Sequence, residues 1–238
     1  WGRNYYGQCN VPAGLVATQI AGGLWHSLAL CEDGSVVAWG ANHYGQCNVP
    51  AGLVATQIAT RTGYHSLAIR EDGSVVAWGY NYFGQCNVPA GLVAKQVAGG
   101  TAHSLAIRED GLVVGWGAGV YVPAGLVAKQ VTCGEDHSLA LREDGSVVAW
   151  GSDGFGQCSV PAGLVATQIA AGDHHSLAIR EDGSVVAWGD NHYGQCDVPA
   201  GLVATQIAAT YDHSLAIVPI WSLRSRRYRA AWLNLEKP

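Results

Sequence analysis

The sequence is poor in several residue types. Its 238 residues include no methionine, only two phenylalanines and 13% charged residues. No apolar run approaches the roughly 18 residues that cross a bilayer. No signal peptide is visible, which leaves open the alternative that a leader was removed. We therefore expect no membrane span. Because a translation product begins with methionine, we interpret the chain as a fragment or a trimmed form.

Helical periodicity and catalytic motifs are also missing. No stretch of about ten residues has apolar side chains at helical spacing, and 32 glycines and 8 prolines interrupt the chain. The motifs GxxxxGK, HExxH and strand–GxGxxG–helix do not occur. We expect an all-β fold and a protein that is not an enzyme, with no catalytic site, no cofactor and no metal site.

The charge is unevenly distributed. Residues 1–217 carry a net charge of −9, whereas residues 218–238 carry +4. An acidic body is a poor non-specific ligand for nucleic acid, so we expect no nucleic-acid partner. The apolar content of 49% is sufficient for a large core and argues against disorder.

One unit recurs along the chain. Its most regular features are the tetrapeptide HSLA and the dipeptide Trp-Gly, which recur every 38 or 39 residues with one short interval of 34. Six units therefore cover residues 1–217, and a basic, aromatic tail without repeats follows at 218–238. The histidines of HSLA are His26, His65, His103, His137, His175 and His213, and the tryptophans are Trp1, Trp39, Trp78, Trp116, Trp150 and Trp188.

Each unit contains three strand signals. In the last copies these are SVVAWG (Ser184–Gly189), LVATQIAA (Leu202–Ala209) and HSLAI (His213–Ile217). Asp-Gly between HSLAI and SVVAWG predicts a hairpin with a type I′ turn. Three or four strands per unit of about 40 residues are typical of a propeller blade. We predict an antiparallel β-propeller of about six blades, with tryptophan wedged between blades; a β-solenoid is the alternative.

The repeats resemble a known family. The patterns WG-x-N-x-Y-G-Q-x-x-V-P, I-A-A-G-x-x-H-S-L-A-L and D-G-x-V-x-A-W-G are similar to the repeats of the regulator of chromosome condensation family, and the Gly-Gln-x-x-Val-Pro variant is most similar to bacterial members. The resemblance implies blades of four antiparallel strands, most often seven of them. This chain departs from that pattern by showing six units.

Recurring polar residues have structural interpretations. Five cysteines follow Gly-Gln in equivalent slots, which should lie too far apart for disulfides, so we predict buried free thiols; their odd total of seven favours a reducing compartment. One histidine per blade is spread around a circle, whereas a metal needs three or four close ligands, so we interpret the HSLA histidines as hydrogen-bonded supports. We assign the Glu-Asp pairs to turns. Adjacent His and Ser point to opposite faces of a strand and form no catalytic pair within one copy.

The two ends of the chain allow several interpretations. The last unit has no Asp-Gly hairpin and no SVVAWG strand. The N-terminal segment would close the ring by pairing with the final HSLAI, or Val218–Leu223 would act as an outer strand. The tail could be a docking helix, a loosely ordered end, or an out-of-frame copy of a further repeat.

Loop positions vary while the frame stays constant. They follow Trp-Gly or precede the HSLA histidine, and they are rich in Tyr, Trp, His and Asn. Aromatic side chains exposed on a rigid frame are typical of a protein-binding surface. We interpret the recurring ring at Tyr6, Tyr44, Phe83, Phe155 and Tyr193 as a packing residue. The predicted partner-binding residues are Tyr5, Trp25, His43, Tyr64, Tyr82, Asp173, His174, His192, Tyr211 and Asp212.

These features predict a non-enzymatic scaffold that binds a protein partner through one propeller face. The family resemblance suggests two alternatives: guanine-nucleotide exchange on a small GTPase, and inhibition of a beta-lactamase-like enzyme. The near identity of the repeats also fits an amplified or engineered propeller without an evolved partner.

Overall fold

The chain alternates short strands and turns. The computed structural model describes residues 3–61 and 63–219. Within those ranges there is no helix, and hence no helix that could cross a membrane. The strands are β1 (Gln19–Gly22), β2 (His26–Leu30), β3 (Val36–Gly40), β4 (Ala55–Thr60), β5 (His65–Arg70), β6 (Val75–Gly79), β7 (Ala94–Gly99), β8 (His103–Arg108), β9 (Val113–Gly117), β10 (Gln130–Cys133), β11 (His137–Leu141), β12 (Val147–Gly151), β13 (Gln168–Ala171), β14 (His175–Ile179), β15 (Val185–Gly189), β16 (Gln206–Ala209) and β17 (Ser214–Ile217).

These strands form one antiparallel sheet per unit. Sheets 1 to 5 are β1-β2-β3, β4-β5-β6, β7-β8-β9, β10-β11-β12 and β13-β14-β15, and sheet 6 is the two-stranded pair β16-β17. The first strand of each sheet lies beside the first strand of the next. This arrangement confirms the predicted antiparallel β-propeller of about six units. The fourth strand that the resemblance implies is reduced to single bridges, such as Ser74 with Val93.

The hairpin between the second and third strands is present, but its predicted turn type is wrong. A type I′ turn needs two residues with positive φ, whereas only glycines have positive φ in the described chain, Gly34 at 79° among them. Gly34 N–H donates to Cys31 O at 3.1 Å, and Cys31 N–H donates to Ser35 O at 2.9 Å. This is a three-residue loop in which a left-handed glycine ends a type I turn. The Asp33 carboxylate accepts the Ser35 N–H at 2.9 Å, as expected for a turn residue.

Among the described residues the apolar core is divided into five clusters, each between two consecutive sheets. Leu28 of sheet 1 packs with Ile58 and Trp78 of sheet 2, and the pattern repeats along the chain. Four of the five clusters contain a tryptophan. The prediction that tryptophan wedges between blades is therefore confirmed. A single sheet has no other surface on which to bury this face, so each depends on its neighbour.

A glutamine carbonyl ties each connecting loop to the sheet that follows it. Trp78 Nε1–H and Ser66 Oγ–H both donate to Gln46 O, each at 2.9 Å. In sheets 1, 3 and 5 the equivalent serine and tryptophan donate in the same way to the backbone carbonyls of Gln8, Gln85 and Gln157. Asn42 holds this loop in shape by accepting the Cys47 N–H at 2.9 Å. We call this arrangement the glutamine latch.

The buried histidines tie neighbouring sheets together. His65 Nε2 lies 2.9 Å from Ser104 Oγ of the next sheet, and four other sheet junctions repeat this contact. The predicted supporting role is confirmed, with a partner that belongs to the next copy of the repeat. The Ser104 hydroxyl proton goes to Gln85 O, so the histidine must donate to Ser104 and cannot act as its base. This buried pair is therefore structural.

The cysteines are all free, as predicted, but only Cys133 is buried. The five in the Gly-Gln-Cys loops are half-buried, and the Cys47 thiol donates to Ala41 O at 3.2 Å. Burial raises the pKa of Cys86 to about 11, which keeps it in the unreactive thiol form at neutral pH.

The short unit between Trp116 and Trp150 interrupts the latch. Its loop lacks the Gly-Gln-Cys sequence, and Trp150 Nε1–H is buried without a hydrogen-bond partner among the described residues. Val120 and Val122 of this loop instead pack over Gly115, where the other complete sheets have alanine. A methyl group on Gly115 would overlap Val120 Cγ1. The deletion thus replaces a polar latch with apolar packing.

Within residues 3–61 and 63–219, the first and last sheets each lack the contacts that a neighbouring sheet would provide on one side. Ile20 of sheet 1 is 78% exposed, whereas its counterpart Ile58 is 2% exposed. In sheet 6, β17 pairs with β16 and with no other strand of the described chain. The prediction that the N-terminal segment closes the ring on β17 is therefore wrong for residues 3 onward. The interpretations of the tail fall on residues 220–238, which lie outside the described ranges; Val218 and Pro219 are not in a strand.

The interrupted latch gives a mutational prediction. Trp116→Phe removes a buried hydrogen bond of 2.8 Å to Gln85 O, whereas Trp150→Phe removes an N–H group that has no partner. Both variants lose the same ring volume. We expect Trp116→Phe to lower the free energy of unfolding by about 1–2 kcal/mol more than Trp150→Phe in urea titrations. Equal losses would show that the latch does not contribute to stability.

The buried histidines predict the direction of the pH dependence. Burial lowers the pKa of His65 and His137 to about 3, and that of His26, His103 and His175 to about 4, so these rings stay neutral when folded. In the unfolded chain they titrate near 6.5. Their contribution to stability is present above pH 6.5 and is lost as the pH falls towards 4, because the unfolded state binds more protons.

His65→Gln removes one group that binds a proton only in the unfolded state. It should therefore reduce the slope of the unfolding free energy against pH by about 1.4 kcal/mol per pH unit between pH 4.5 and 6. The matched control is His43→Gln, which makes the same substitution at an exposed loop histidine. Urea titrations across that pH range measure both variants. Identical slopes in the two variants would contradict the assignment of His65 as a neutral buried ring.

Candidate protein-binding face

Strand order brings the variable loop positions to one end of the sheets. In each complete sheet the chain enters the HSLA strand at its histidine and leaves the third strand at the glycine of Trp-Gly, and these two residues pair, as His65 does with Gly79. The residues before the histidine and after Trp-Gly therefore share one end. The Asp-Gly hairpins lie at the opposite end. We call the first end the loop face.

The first aromatic group on the loop face surrounds Trp25. The Trp25 ring lies 6.4 Å from Tyr5 and 5.4 Å from Tyr6, and the Tyr6 ring lies 5.3 Å from His43, centroid to centroid. Tyr5 is 78% exposed. The predicted residues Tyr5, Trp25 and His43 are thus brought together by Tyr6, which the sequence interpretation treated as a packing residue.

The second aromatic group lies in the loops that flank sheet 2 and contains only tyrosine and phenylalanine rings. Tyr44 packs against Tyr64 at 5.2 Å and Tyr80 at 4.7 Å. Tyr80 stacks on Tyr82 at 6.4 Å, and Tyr82 packs against Phe83 at 5.1 Å. Tyr82 is 80% exposed, whereas Tyr64 and Tyr80 are half-buried. The sequence interpretation missed Tyr80, although it occupies a slot that varies among the units.

The third group is smaller and polar. Phe155 lies 4.9 Å from the His174 ring and 6.3 Å from the His192 ring. His174 Nε2 pairs with the Glu135 carboxylate at 3.1 Å, and His192 pairs with Asp190. That hydrogen bond to Asp190 raises the pKa of His192 above its usual value. Tyr211 stands at the end of the group and is 53% exposed.

The aromatic residue that recurs before Gly-Gln has two roles. Tyr6, Tyr44, Phe83, Phe155 and Tyr193 are 44–75% exposed, and four of them contact a variable side chain of the loop face. They pack the predicted residues in position and also contribute surface themselves. Between the second and third groups the short loop leaves Tyr121, 83% exposed and in no ring contact of the described chain.

Asp173 requires a correction. It was predicted to lie on the exposed face, but its side chain is 2% exposed, because its loop is tied to its neighbours by backbone hydrogen bonds. Glu135 N–H donates to Asp173 O at 3.2 Å, and Asp173 N–H donates to Thr210 O at 3.2 Å. Asp212 is half-buried beside it. Asp173 therefore supports the loop face from beneath.

A partly buried arginine, Arg61, lies near Asp173. Unit 2 has one extra residue between Ile58 and His65, and within this longer loop Arg61 Nη1–H donates to Ala209 O of sheet 6 at 3.4 Å. Arg61 Nε and Nη2 and Asp173 Oδ1 are buried without hydrogen-bond partners in the described chain. Burial raises the pKa of Asp173 to about 6, and the Arg61 charge opposes that rise. The Arg61 side chain thus links the loop before β5 of sheet 2 to β16 of sheet 6.

The loop face presents aromatic and polar side chains. Among residues 3–61 and 63–219, no group of three His, Cys, Asp or Glu side chains is placed to hold a metal ion. The groups on the face are aromatic rings, exposed amides and carboxylates on loops whose backbone is held by the glutamine latch. Such rings present a large rigid area that can be desolvated at little cost in side-chain entropy.

Comparison with known proteins identifies the repeats. The family model described as "Regulator of chromosome condensation (RCC1) repeat" matches residues 17–46, 56–85, 94–121, 128–157 and 166–195. These segments cover more than half of the chain, which therefore belongs to the regulator of chromosome condensation repeat family. No curated protein sequence matches the chain.

Solved structures share the fold at low sequence identity. The CRINKLY WD40 ectodomain of the Arabidopsis thaliana receptor kinase ACR4 is 19% identical with a TM-score of 0.72, over 87% of this chain and 77% of that one. Yeast RCC1 (Prp20), solved bound to Kap60, is 23% identical with a TM-score of 0.70, over 84% and 67%. Human WBSCR16 is 22% identical with a TM-score of 0.69, over 84% and 71%. At these identities the likeness establishes a common fold.

Proposed function

We propose that this propeller is a non-enzymatic scaffold that binds a protein partner through its loop face. The observation that carries the proposal is the clustering of variable aromatic side chains at one end of a frame that is otherwise constant. Tyr5, Tyr82 and Tyr211 are all more than half exposed, while the buried positions beneath them repeat from unit to unit.

Two solved structures of one neighbour in fold support a role in protein recognition. Yeast RCC1 (Prp20) was solved bound to Kap60, and Prp20p from Saccharomyces cerevisiae is described with binding properties to Gsp1p and histones. The second aromatic group is the best candidate for an anchor, because its five rings contact one another and form a continuous apolar area. The polar third group would sit at the rim and set specificity. Nucleotide exchange and enzyme inhibition stay predictions of the resemblance.

The proposal is tested by removing the anchors. Trp25→Ala, Tyr64→Ala and Tyr82→Ala should each weaken binding of the captured partner about 30-fold, which corresponds to roughly 2 kcal/mol. The partner is first captured from a cell extract on the immobilised full chain and identified by mass spectrometry, and the dissociation constant is then measured with the purified partner.

A control set is available at the opposite end. Val54, Val93 and Val165 are 45–55% exposed beside the Asp-Gly hairpins, and their replacement by alanine should leave binding unchanged. Binding that survives all three aromatic substitutions, or that is lost in the valine set, would contradict the assignment of the loop face.

A further inference from the structure

Charge divides the loop face into two halves. Of the 18 Asp and Glu residues in the chain, ten form the Glu-Asp pairs of the hairpins at the opposite end, and Glu236 lies outside the described ranges. The other seven all lie on the loop face between Gly134 and His213, and we call this part the acidic half. They are Glu135, Asp136, Asp153, Asp173, Asp190, Asp197 and Asp212.

The rest of the loop face has the opposite character. Its segments before Gly134 contain Arg3 and Arg61 and no carboxylate. Between Gly134 and His213 the basic residues are Arg142 and Arg180, and both flank hairpins at the other end of the sheets. The acidic half therefore contains no lysine or arginine of its own segments.

Two of these carboxylates replace an amide without changing the loop. Asp153 Oδ1 accepts a backbone N–H at 2.7 Å, the same bond that Asn42 Oδ1 accepts at 2.9 Å in an earlier unit. Asp197 Oδ1 accepts a side-chain N–H at 2.8 Å, as Asn48 Oδ1 does at 2.7 Å. Because a neutral amide makes both bonds, the loops do not need these negative charges in order to fold.

A second observation is a buried carboxylate within the acidic half. Asp173 is 2% exposed, and its Oδ1 has no hydrogen-bond partner among the described residues. Burial raises the pKa of Asp173, Arg61 opposes the rise, and Glu135 and Asp212 add to it. Asp212 and then Asp173 and Glu135 also raise the pKa of the exposed Tyr211 hydroxyl. Three carboxylates thus act on one another and on a surface ring, and Arg61 offsets only part of their charge.

We propose that the acidic half binds a lysine- or arginine-rich segment of the protein partner. The inference rests on the proposed function and adds the charge of the partner to it. Exposed carboxylates offer charge-assisted hydrogen bonds to ammonium and guanidinium groups. The rings of Tyr193 and Tyr211, 75% and 53% exposed, stand among these carboxylates and attract cations through their faces.

The partner surface is accordingly bipartite. The second aromatic group carries no formal charge and contacts an apolar part of the partner, whereas the acidic half contacts a basic part beside it. Opposite charges that meet in this way fix the orientation of the partner and speed its association.

The course of β17 favours a separate partner over the C-terminal residues of the chain itself. The HSLA strands run from the loop face towards the hairpin end, and β17 ends in that direction at Ile217. The described chain therefore leaves its last strand pointing away from the acidic half. Residues 218–238 carry a net charge of +4, so the experiment includes them as a competitor.

The first test measures binding of fluorescent octalysine to the full chain by anisotropy. The loop-face variant combines Asp136→Asn, Asp153→Asn and Asp197→Asn, all at exposed side chains. It should bind octalysine roughly 10-fold more weakly at about 50 mM NaCl, because three exposed charge pairs are lost. Raising the salt to about 300 mM should weaken binding of the unaltered chain as well.

A matched control removes the same number of charges at the other end. It combines Glu71→Gln, Glu109→Gln and Glu143→Gln, which are exposed hairpin residues. Its affinity for octalysine should stay within about 2-fold of the unaltered chain, since charges beyond a screening length contribute little. Equal losses in the two variants, or no binding of octalysine to the unaltered chain, would overturn the proposal.

The basic C-terminal residues give a distinct outcome. Octalysine that binds only after Arg224, Arg226, Arg227 and Arg229 are replaced by glutamine would assign the acidic half to the chain's own residues and refute the proposal. Equal affinity before and after these replacements is the expected result.

The identified partner separates this inference from the proposed function. The loop-face triple variant should weaken partner binding roughly 10-fold and reduce its salt dependence. If Trp25→Ala and Tyr64→Ala weaken binding while the triple variant does not, the loop face binds the partner but the basic segment is wrong. If the aromatic substitutions have no effect, the proposed function fails, and the triple variant decides the acidic half by itself.

Discussion

Each sheet of this propeller can bury its apolar face only against the next sheet. Two small polar devices fix that contact: the glutamine latch, which holds the connecting loop against the strand that carries tryptophan, and the histidine, which bonds to the serine of the following sheet. Both occupy places where an unpaired polar group would be costly. The residues that make these contacts are the same in each unit. The variable residues of the loop face take no part in them.

Units whose sequence departs from the repeat also differ in these contacts. The short unit loses its glutamine, leaves Trp150 Nε1 without a partner in the described chain, and compensates with Val120 packed over Gly115. The longer loop of unit 2 introduces Arg61, whose charge is balanced through space by Asp173 rather than by a direct ion pair. At the two ends of the described chain these contacts are incomplete: Ile20 of sheet 1 is 78% exposed, and Gln195 O accepts from Ser214 Oγ–H in sheet 6 but from no indole of the described residues. Departures in sequence therefore map directly onto departures in bonding.

Much of this could be predicted from the sequence, because periodicity is a strong signal. The strands, the hairpins, the wedged tryptophans and the supporting histidines follow from the register of HSLA, Asp-Gly and Trp-Gly along the copies. The partner of each buried histidine could not be predicted, since His65 is hydrogen-bonded to a serine 39 residues away in the next sheet. The burial of Asp173 depends on hydrogen bonds from three sheets, which no local pattern encodes. Tyr80 was missed because no copy repeats it, and the turn type because Asp-Gly occurs in more than one hairpin.

The central claim is that order in each sheet depends on latches shared with its neighbours, and hydrogen exchange measured by mass spectrometry tests it most directly. The account predicts strong protection of the HSLA amides in sheets 2, 3 and 5, which have a neighbour on both sides and a complete latch. It predicts weaker protection in sheet 4, and the weakest in β1 and in β16–β17. Uniform protection from β1 to β17 would contradict it.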